Sequence, residues 1–536
     1  MEFSTAKLAR LPLPLVAKGP HDKVRPLDEL ANISRHLTES GKIVVQAHGT
    51  FDLLHLGHVR HLEAARRQGD ALIVTVTADR FVNKGPGRPV FGETLRAEML
   101  ASLEYVDWVG INEAPDAVSA IACIRPQVYI KGQDYQNPQG DITGKISKER
   151  DAIESCGGRI HFTDEVTYSS SELINRHLNV FEPHVRDHLD IIRRDGGLGR
   201  ILEWIDRIKD YRVLLVGDAI IDEYHYVLPM GKSPKENMIA TRYQDRELFA
   251  GGVFAAANHV ASFCSEVDIV TCLGGDESYE DLIRQGLRPN VRLHAVKRHG
   301  APTTLKRRFV DPSYMRKLFE VYFMDDETLT AGLQGELNAL IGKLAPRADV
   351  VIATDFGHGL IALSSIEQLT HASRFLAVNT QSNSANLGYN LITKYPRADY
   401  ICIDAPEARL AVSDRISTIG DIANRLIGAA RDDGRSPLCS IDCGKVIVTQ
   451  GKHGCVTCER DGIVHTIPAF AKNVVDTVGA GDAFLSVTSP LVAAGAPMNH
   501  VGFIGNVVGA LKVEIVGHRR SIDKPSLVKS ITGLLK

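Results

Sequence analysis

The chain has 536 residues, 24% of them charged, with a formal net charge of −3. That length exceeds one ordinary domain and suits two or three, each able to bury a core, and the balanced charge excludes an electrostatic nucleic-acid binder or an acidic tail. Nine cysteines are too sparse for a disulfide framework and fit a reducing cytoplasm, while no apolar run reaches the ~20 residues of a membrane span, since residues 501–516 contain Asn506, Lys512 and Glu514.

Residues 1–40 read as an N-terminal extension. Its apolar patch, Leu11-Pro-Leu-Pro-Leu-Val16, is broken by prolines and lacks a signal-peptide cleavage pattern. The run Ile43-Val-Val-Gln-Ala47 then predicts a buried strand, and residues 58–67 have helical periodicity. The turn between them, His48-Gly-Thr-Phe-Asp-Leu-Leu-His-Leu-Gly-His58, therefore leads from a strand into a helix. Such a turn points free backbone N–H groups and the positive end of the helix dipole outward, which suits a phosphate. His55 and His58, three residues apart across Gly57, can add donors to the same anion. A loop with two surface histidines is the plain alternative, and it leaves the agreement of strand, glycines and imidazoles unexplained.

Gly49-Thr-Phe-Asp52 followed by His55-Leu-Gly-His58 resembles the signature of the cytidylyltransferase-like nucleotidyltransferases. These enzymes join a nucleoside triphosphate to a phosphorylated alcohol or sugar and release pyrophosphate. The resemblance implies that His55 and His58 stabilise the crowded α-phosphate electrostatically, with Gly49, Thr50, Phe51 and Gly57 forming the nucleotide cradle.

Strand and helix keep alternating: a strand at 72–78, a basic glycine-rich loop at 83–89, a helix at 93–104, a strand at 106–111, a helix at 117–123 and a strand at 127–131. This pattern predicts a Rossmann-like parallel sheet over residues 41–180, with ligands beyond the carboxyl ends of the strands. Lys84, Arg88-Pro89, Arg96, Glu104-Tyr-Val-Asp-Trp108, Lys131-Gly-Gln-Asp-Tyr135 and Ser169-Ser-Ser171, taken in order, are similar to the adenylyltransferase part of the bifunctional heptose 7-phosphate kinase/heptose 1-phosphate adenylyltransferases. By that resemblance Lys84 and Arg96 neutralise triphosphate or pyrophosphate oxygens, Arg88 and Lys131 bind the nucleotide, and Ser169, Ser170 and Ser171 hold its β- and γ-phosphates. The serines could otherwise be only a helix cap, and Lys84 and Arg88 only solvated loop charges.

Residues 181–210 carry two apolar helical patterns separated by Gly196-Gly197 and read as a helical linker without chemistry. A new strand, Arg212-Val-Leu-Leu-Val-Gly217, ends at Asp218, with Asp222 four residues on. A polar segment to Glu247 precedes Gly251-Gly252, which opens a small-residue helix. Asp476-Thr-Val-Gly-Ala-Gly-Asp482 also stands immediately before an apolar helix. Gly479, Ala480 and Gly481 let backbone N–H groups converge on a phosphoryl group, and Asp482 is placed to take a proton from an attacking hydroxyl.

That string resembles the signature of the ribokinase-like carbohydrate kinases over most of residues 211–520. The resemblance implies an α/β domain with a small β lid, reaching from 211 to 536. Gly217-Asp-Ala-Ile-Ile-Asp-Glu-Tyr224, Thr304-Leu-Lys-Arg-Arg308, Thr354-Asp-Phe-Gly-His-Gly359 and Val446-Ile-Val-Thr-Gln-Gly451 are similar to the heptose kinase half of the same bifunctional enzymes. By resemblance Asp218, Asp222, Gly251 and Gly252 bind the sugar, Lys306 and Arg308 its phosphate, and Thr449, Gly451 and Asn506 lie near ATP. Asp482 is the implied base, and Asp404 and Glu407 are the implied magnesium site.

Three departures from that pattern stand out. Ala255 takes the place of a substrate-binding Asn, an Asn-x-x-Glu motif appears as Asp404-Ala-Pro-Glu407, and an Asp-Pro-Lys segment appears as Asn379-Thr-Gln-Ser-Asn-Ser-Ala-Asn386. Cys439, Cys443, Cys455 and Cys458 have zinc-like spacing, but residues three apart on a strand point to opposite faces, which favours apolar packing. The transferase unit precedes the kinase unit, the reverse of the usual order. The expectation is a cytoplasmic, homo-oligomeric enzyme of nucleotide-sugar synthesis that takes a sugar phosphate, Mg2+ and ATP or CTP and binds neither nucleic acid nor membrane. The alternative is an active transferase fused to a non-catalytic kinase-fold module.

Overall fold

A computed structural model describes residues 19–82, 88–132, 145–163, 181–427, 441–471 and 473–536. They form two compact units, the first running to Phe181 and the second from Glu182 to Ile531.

The first unit is built on five parallel strands, β1 (Val44–Gly49), β2 (Ala71–Thr77), β3 (Trp108–Asn112), β4 (Val128–Gly132) and β5 (Arg159–Thr163), in the order β3-β2-β1-β4-β5. β1 and β2 read as continuous apolar runs because helices cover both faces of the sheet. The chain moves outward from β1 to β3 and returns beyond β1 to β4, so the topological switch lies between β1 and β4, and the ligand crevice belongs at their carboxyl ends. One boundary differs from the sequence reading. Helix Leu27–Glu39, expected in an N-terminal extension, buries Leu30, Ile33 and Leu37 against Val44, Ile73 and Trp108, so it is part of this unit's core.

The second unit holds a nine-stranded sheet. Its strands are β6 (Arg212–Gly217), β9 (Glu266–Asp276), β10 (Val291–Pro302), β13 (Val350–Asp355), β14 (Leu376–Thr380), β15 (Arg397–Asp404), β16 (Asp442–Thr449), β17 (Cys455–Glu459) and β18 (Val464–Ile467). The order is β10-β9-β6-β13-β14-β15-β16-β17-β18, parallel through β16 and antiparallel beyond it. The switch here lies between β6 and β13, where Asp218 and Asp355 stand.

A separate four-stranded sheet, in the order β12-β11-β7-β8, is formed by β7 (Ala219–Lys232), β8 (Ile239–Gly252), β11 (Thr304–Asp311) and β12 (Arg316–Phe323), and is the expected β lid. The two helices expected as a linker, Pro183–Arg194 and Gly197–Arg207, lie within this unit and bury Leu189, Ile192, Ile201, Trp204 and Ile205. No helix of the described residues is long and apolar enough to cross a membrane.

Candidate active sites

In the first unit β1 ends at Gly49 and the chain turns into helix Leu56–Arg66. His55 is the N-cap, and its Nδ1 accepts the Gly57 N–H at 3.1 Å, which fixes the imidazole against the first turn. His58 stacks on it, ring centroids 3.9 Å apart and planes at 27°. Phe51, at φ +47°, meets His58 edge-on at 5.2 Å, and a Cβ at Gly49 would sit 3.1 Å from the Phe51 ring. Two imidazoles and a helix start are thus gathered at the switch point, an arrangement that can hold a phosphate and stabilise charge developing on it.

Of the cations expected around this turn, Arg96, Arg88 and Lys131 each contact an acid. Arg96 is fully buried. Its Nε donates to Phe91 O at 2.9 Å, and its terminal nitrogens donate to Thr50 O, to Thr77 O at 2.8 Å and to the Asp79 carboxylate at 2.6 Å. It therefore clamps the turn to the end of β2. Arg88 donates to Asp52 at 2.9 Å in a buried pair, and Asp52 also accepts the Val90 N–H, so this arginine ties its loop to the turn. Lys131, at the end of β4, pairs with Glu149 at 2.8 Å. Lys84 and Ser169, Ser170 and Ser171 lie outside the described residues.

In the second unit helix Ala480–Ala493 starts from Gly479, whose φ of +74° requires glycine. Asp482, in the first turn, is buried, and its Oδ1 accepts Gln381 Nε2 at 2.7 Å. Burial raises its pKa, with the His518 imidazole pulling the other way. A carboxylate so placed accepts a proton more readily than a solvated one, the property a general base needs.

The turn itself is tied from behind. Asp476 accepts from Tyr224 Oη at 2.7 Å, from Lys317 Nζ at 2.5 Å and from the Gly517 N–H at 2.8 Å. The ammonium of the fully buried Lys512 bridges Val478 O at 2.7 Å and Gly517 O at 2.8 Å. A fixed positive charge therefore backs Gly479, Ala480 and Gly481.

Beyond β6, Asp218 accepts the Phe356 N–H at 2.8 Å, and burial together with the Asp355 carboxylate pushes its pKa up to about 7. Asp222 is clamped by Arg308 on one oxygen and by His518 Nε2 at 3.2 Å on the other, and the Arg308 charge together with the His518 hydrogen bond holds its pKa below the usual carboxylate range despite burial. Gly251 is the condition for that geometry, since a Cβ there would lie 2.0 Å from Asp222 Oδ2. Gly252, at φ +52°, likewise has no room beside Asp218 O, 2.7 Å from its would-be Cβ.

Arg308 also pairs with Glu320 at 3.1 Å, so two acids contact it. Lys306 is buried and has no ion-pair or hydrogen-bond partner among the described residues. Its Nζ faces the rings of Tyr322 and Phe356 at 5.2 and 5.7 Å.

Asp404 and Glu407 do not fit a resident magnesium site. They form a capping box on helix Ala405–Ala411: Asp404 Oδ1 accepts the Glu407 N–H at 2.8 Å, and the Glu407 oxygens accept the N–H groups of Asp404 and Ser382 at 3.0 and 2.9 Å. Burial and the adjacent Asp404 carboxylate raise the pKa of Glu407, which further disfavours a charged ligand. No group of three acidic, histidine or cysteine side chains able to hold a metal occurs among the described residues.

Asn506 donates both amide hydrogens to Ile467 O and Pro468 O at 3.1 and 3.0 Å, which positions the end of β18. Thr449 closes β16, and Gly451 follows it at φ +54°. Cys439 is outside the described residues. Cys443, Cys455 and Cys458 are buried against different neighbours, Lys445 O, Gly502 O and Asn424 Oδ1, as packing predicts.

Gln381, His518, Lys512 and Asp52 carry no role in the sequence reading. Two had a visible signal: Gln381 sits in the departing segment 379–386, and Lys512 is the one charged residue closing a mostly apolar helix, Met498–Lys512. His518 follows a loop with no motif of its own.

Residues 211–525 match the pfkB family carbohydrate kinases, and residues 47–176 match the cytidylyltransferase-like family. In its N-terminal region the chain is 37% identical over 163 residues to the bifunctional protein HldE of Syntrophotalea carbinolica, covering 30% of this chain and 32% of that protein. It is 40% identical over 159 residues to HldE of Methylobacillus flagellatus, covering 29% and 31%. The chain thus spans about a third of the length of the curated relatives it matches. A ribokinase structure from Thermotoga maritima is similar at 19% identity, with a TM-score of 0.46 over 60% of this chain and 99% of that one.

Proposed function

The chain belongs to the pfkB family of carbohydrate kinases and carries a cytidylyltransferase-like domain ahead of the kinase domain; from this premise we propose a bifunctional enzyme of nucleotide-sugar synthesis. In the kinase unit the anomeric hydroxyl of a heptose 7-phosphate-like sugar loses its proton to Asp482 as it attacks the γ-phosphorus of ATP. The bond from that phosphorus to the β–γ bridging oxygen breaks, ADP leaves, and the proton remains on Asp482. Donors at Gly479–Gly481, backed by the Lys512 ammonium, stabilise the transferring group. Magnesium enters with the nucleotide as its substrate complex.

In the transferase unit a sugar 1-phosphate oxygen attacks the α-phosphorus of a nucleoside triphosphate and pyrophosphate departs. His55 and His58 stabilise the added charge on the α-phosphate. ATP is the favoured nucleotide and CTP the alternative. Soluble small molecules, a sugar phosphate and a nucleoside triphosphate, are the partners, and the heptose route needs a phosphatase between the two steps.

The observation that carries the reading is the buried Asp482 at the start of the glycine-rich helix, held by Gln381 and within the electrostatic reach of Lys306, Lys512 and His518. A non-catalytic kinase-fold module has no use for a desolvated carboxylate at a phosphoryl-binding turn, and burying one unused would cost stability. The test is ADP formation from ATP with a panel of sugar phosphates, alongside pyrophosphate release from ATP and CTP with sugar 1-phosphates. Sugar-dependent ADP formation supports the kinase, and its absence over the whole panel leaves the non-catalytic module. Faster pyrophosphate release with CTP than with ATP would overturn the nucleotide assignment.

A further inference from the structure

Resting on the kinase reading above, we infer that Gln381 is a positioning residue for Asp482, its side-chain amide fixing one oxygen of the base so that the other is left to take the proton of the attacking hydroxyl. Gln381 follows β14 in the segment 379–386. Its Nε2 donates to Asp482 Oδ1 at 2.7 Å, and this is the one hydrogen bond that the Asp482 carboxylate accepts among the described residues. A carboxyl group turns easily about its last side-chain bond, where the torsional wells are broad, so a single donor decides which oxygen faces the substrate. A displaced base is costly, since an error of ~1 Å in a reacting group lowers the rate by roughly 100-fold.

The main chain holds that donor in place. The Gln381 N–H donates to Asp355 O at 2.9 Å, and the Gln381 carbonyl accepts Asn390 Nδ2 at 3.1 Å. Asn390 is itself buried, donates to Asp355 O at 2.9 Å and accepts from Lys394 Nζ at 2.6 Å. The next residue is fixed as well, because the Ser382 N–H donates to Glu407 Oε1 at 2.9 Å. None of these bonds uses the Gln381 side chain, so the anchoring of the loop does not depend on the amide.

Gln381 stands where the heptose kinase pattern has the lysine of its Asp-Pro-Lys segment. An ammonium in that contact would favour the ionised carboxylate and weaken the base. Asp482 already lies in the field of His518, Asp222, Lys512 and Lys306, and burial still prevails and raises its pKa. A neutral amide supplies the N–H donor with a smaller loss of basicity than a charge would bring. The exchange of lysine for glutamine therefore keeps the base aligned and keeps its affinity for a proton.

The experiment compares the full-length protein with Gln381→Leu and Gln381→Lys, both of which keep the main-chain bonds. ADP formation with a heptose 7-phosphate is followed from about pH 5 to 9. The Asp482 carboxyl is titrated by carboxyl-carbon NMR without substrate, its signal identified by its loss in Asp482→Asn. Gln381→Leu should lower kcat by roughly 10-fold or more with the KM values for sugar phosphate and ATP nearly unchanged. It should also move the acidic limb of the profile and the carboxyl titration up by roughly half a pH unit or more, because the donor to the ionised form is gone. Gln381→Lys should move both down, because a cation stabilises that form. Opposite displacements of the titration in the two variants, with the loss of kcat in Gln381→Leu, uphold the inference. An unchanged kcat in Gln381→Leu, or a titration that stays put or moves the same way in both variants, overturns it and leaves the kinase reading intact. If no protein turns over, opposite displacements of the titration uphold the hold of Gln381 on Asp482 and overturn the kinase reading, and an unmoved titration overturns both.

Discussion

Gly251 and Asp222 show how closely one residue constrains another in the second unit. The Asp222 carboxylate lies where a Gly251 side chain would be, and it is fixed there by Arg308 and His518. Gly251→Ala should therefore displace Asp222 and lower sugar-dependent kcat/KM by roughly 100-fold, the cost of a misplaced substrate contact, with transferase activity unchanged. Asp218 gives a pH-dependent prediction. Its pKa is raised to about 7, so the folded protein keeps this carboxyl protonated where the unfolded chain ionises it. Stability is lost as pH rises from the ordinary aspartate range toward 7, and the full cost, at ~1.4 kcal/mol per pKa unit, is present above that. Asp218→Asn removes the cost while keeping an acceptor for the Phe356 N–H. Thermal scans should show a Tm gain over wild type at about pH 8 that shrinks toward pH 4, together with a loss of kinase turnover. A gain independent of pH would contradict the assignment.

At the scale of elements, both candidate sites lie at strand-to-helix turns beside a topological switch. Arg96 reaches from helix Glu93–Ala101 to hold the first of these turns through Thr50 O. Arg96→Met leaves three carbonyls, of Phe91, Thr50 and Thr77, and the Asp79 carboxylate without their donor. It should destabilise the first unit by about 3 kcal/mol in denaturant titrations, and a small change there would return Arg96 to the phosphate. The elements themselves were largely legible. β2 and β6 are nearly continuous apolar runs, β1 and β16 each carry a shorter one, and both site helices announce their start with glycine and an apolar pattern.

The lid strands β7 and β8 were read only as a polar segment, because their pattern is mostly exposed beyond Tyr226 and alternation gives no signal without a core to face. Side-chain roles were less legible than positions. Arg88, Arg96, Arg308 and Asn506 stand where the resemblance put them in sequence, and each donates to a partner, Asp52, Asp79, Asp222 or a backbone carbonyl, that only tertiary structure brings near.

For the whole molecule, the central claim is that one chain carries two separate group-transfer chemistries, one at the helix start after His55 and the other at the helix start after Gly479. The match to the bifunctional relatives covers about a third of their length, so the pairing of activities must be established on this protein itself. The most direct measurement assays wild type, His58→Ala and Asp482→Asn in parallel, following pyrophosphate release with a sugar 1-phosphate and ADP formation with a sugar 7-phosphate. The account predicts that His58→Ala loses roughly 100-fold or more of pyrophosphate release with ADP formation intact, and that Asp482→Asn loses roughly 100- to 10,000-fold of ADP formation with pyrophosphate release intact. Sugar-dependent ADP formation that is unchanged in Asp482→Asn, or the loss of both activities in either variant while the protein remains folded, would contradict it.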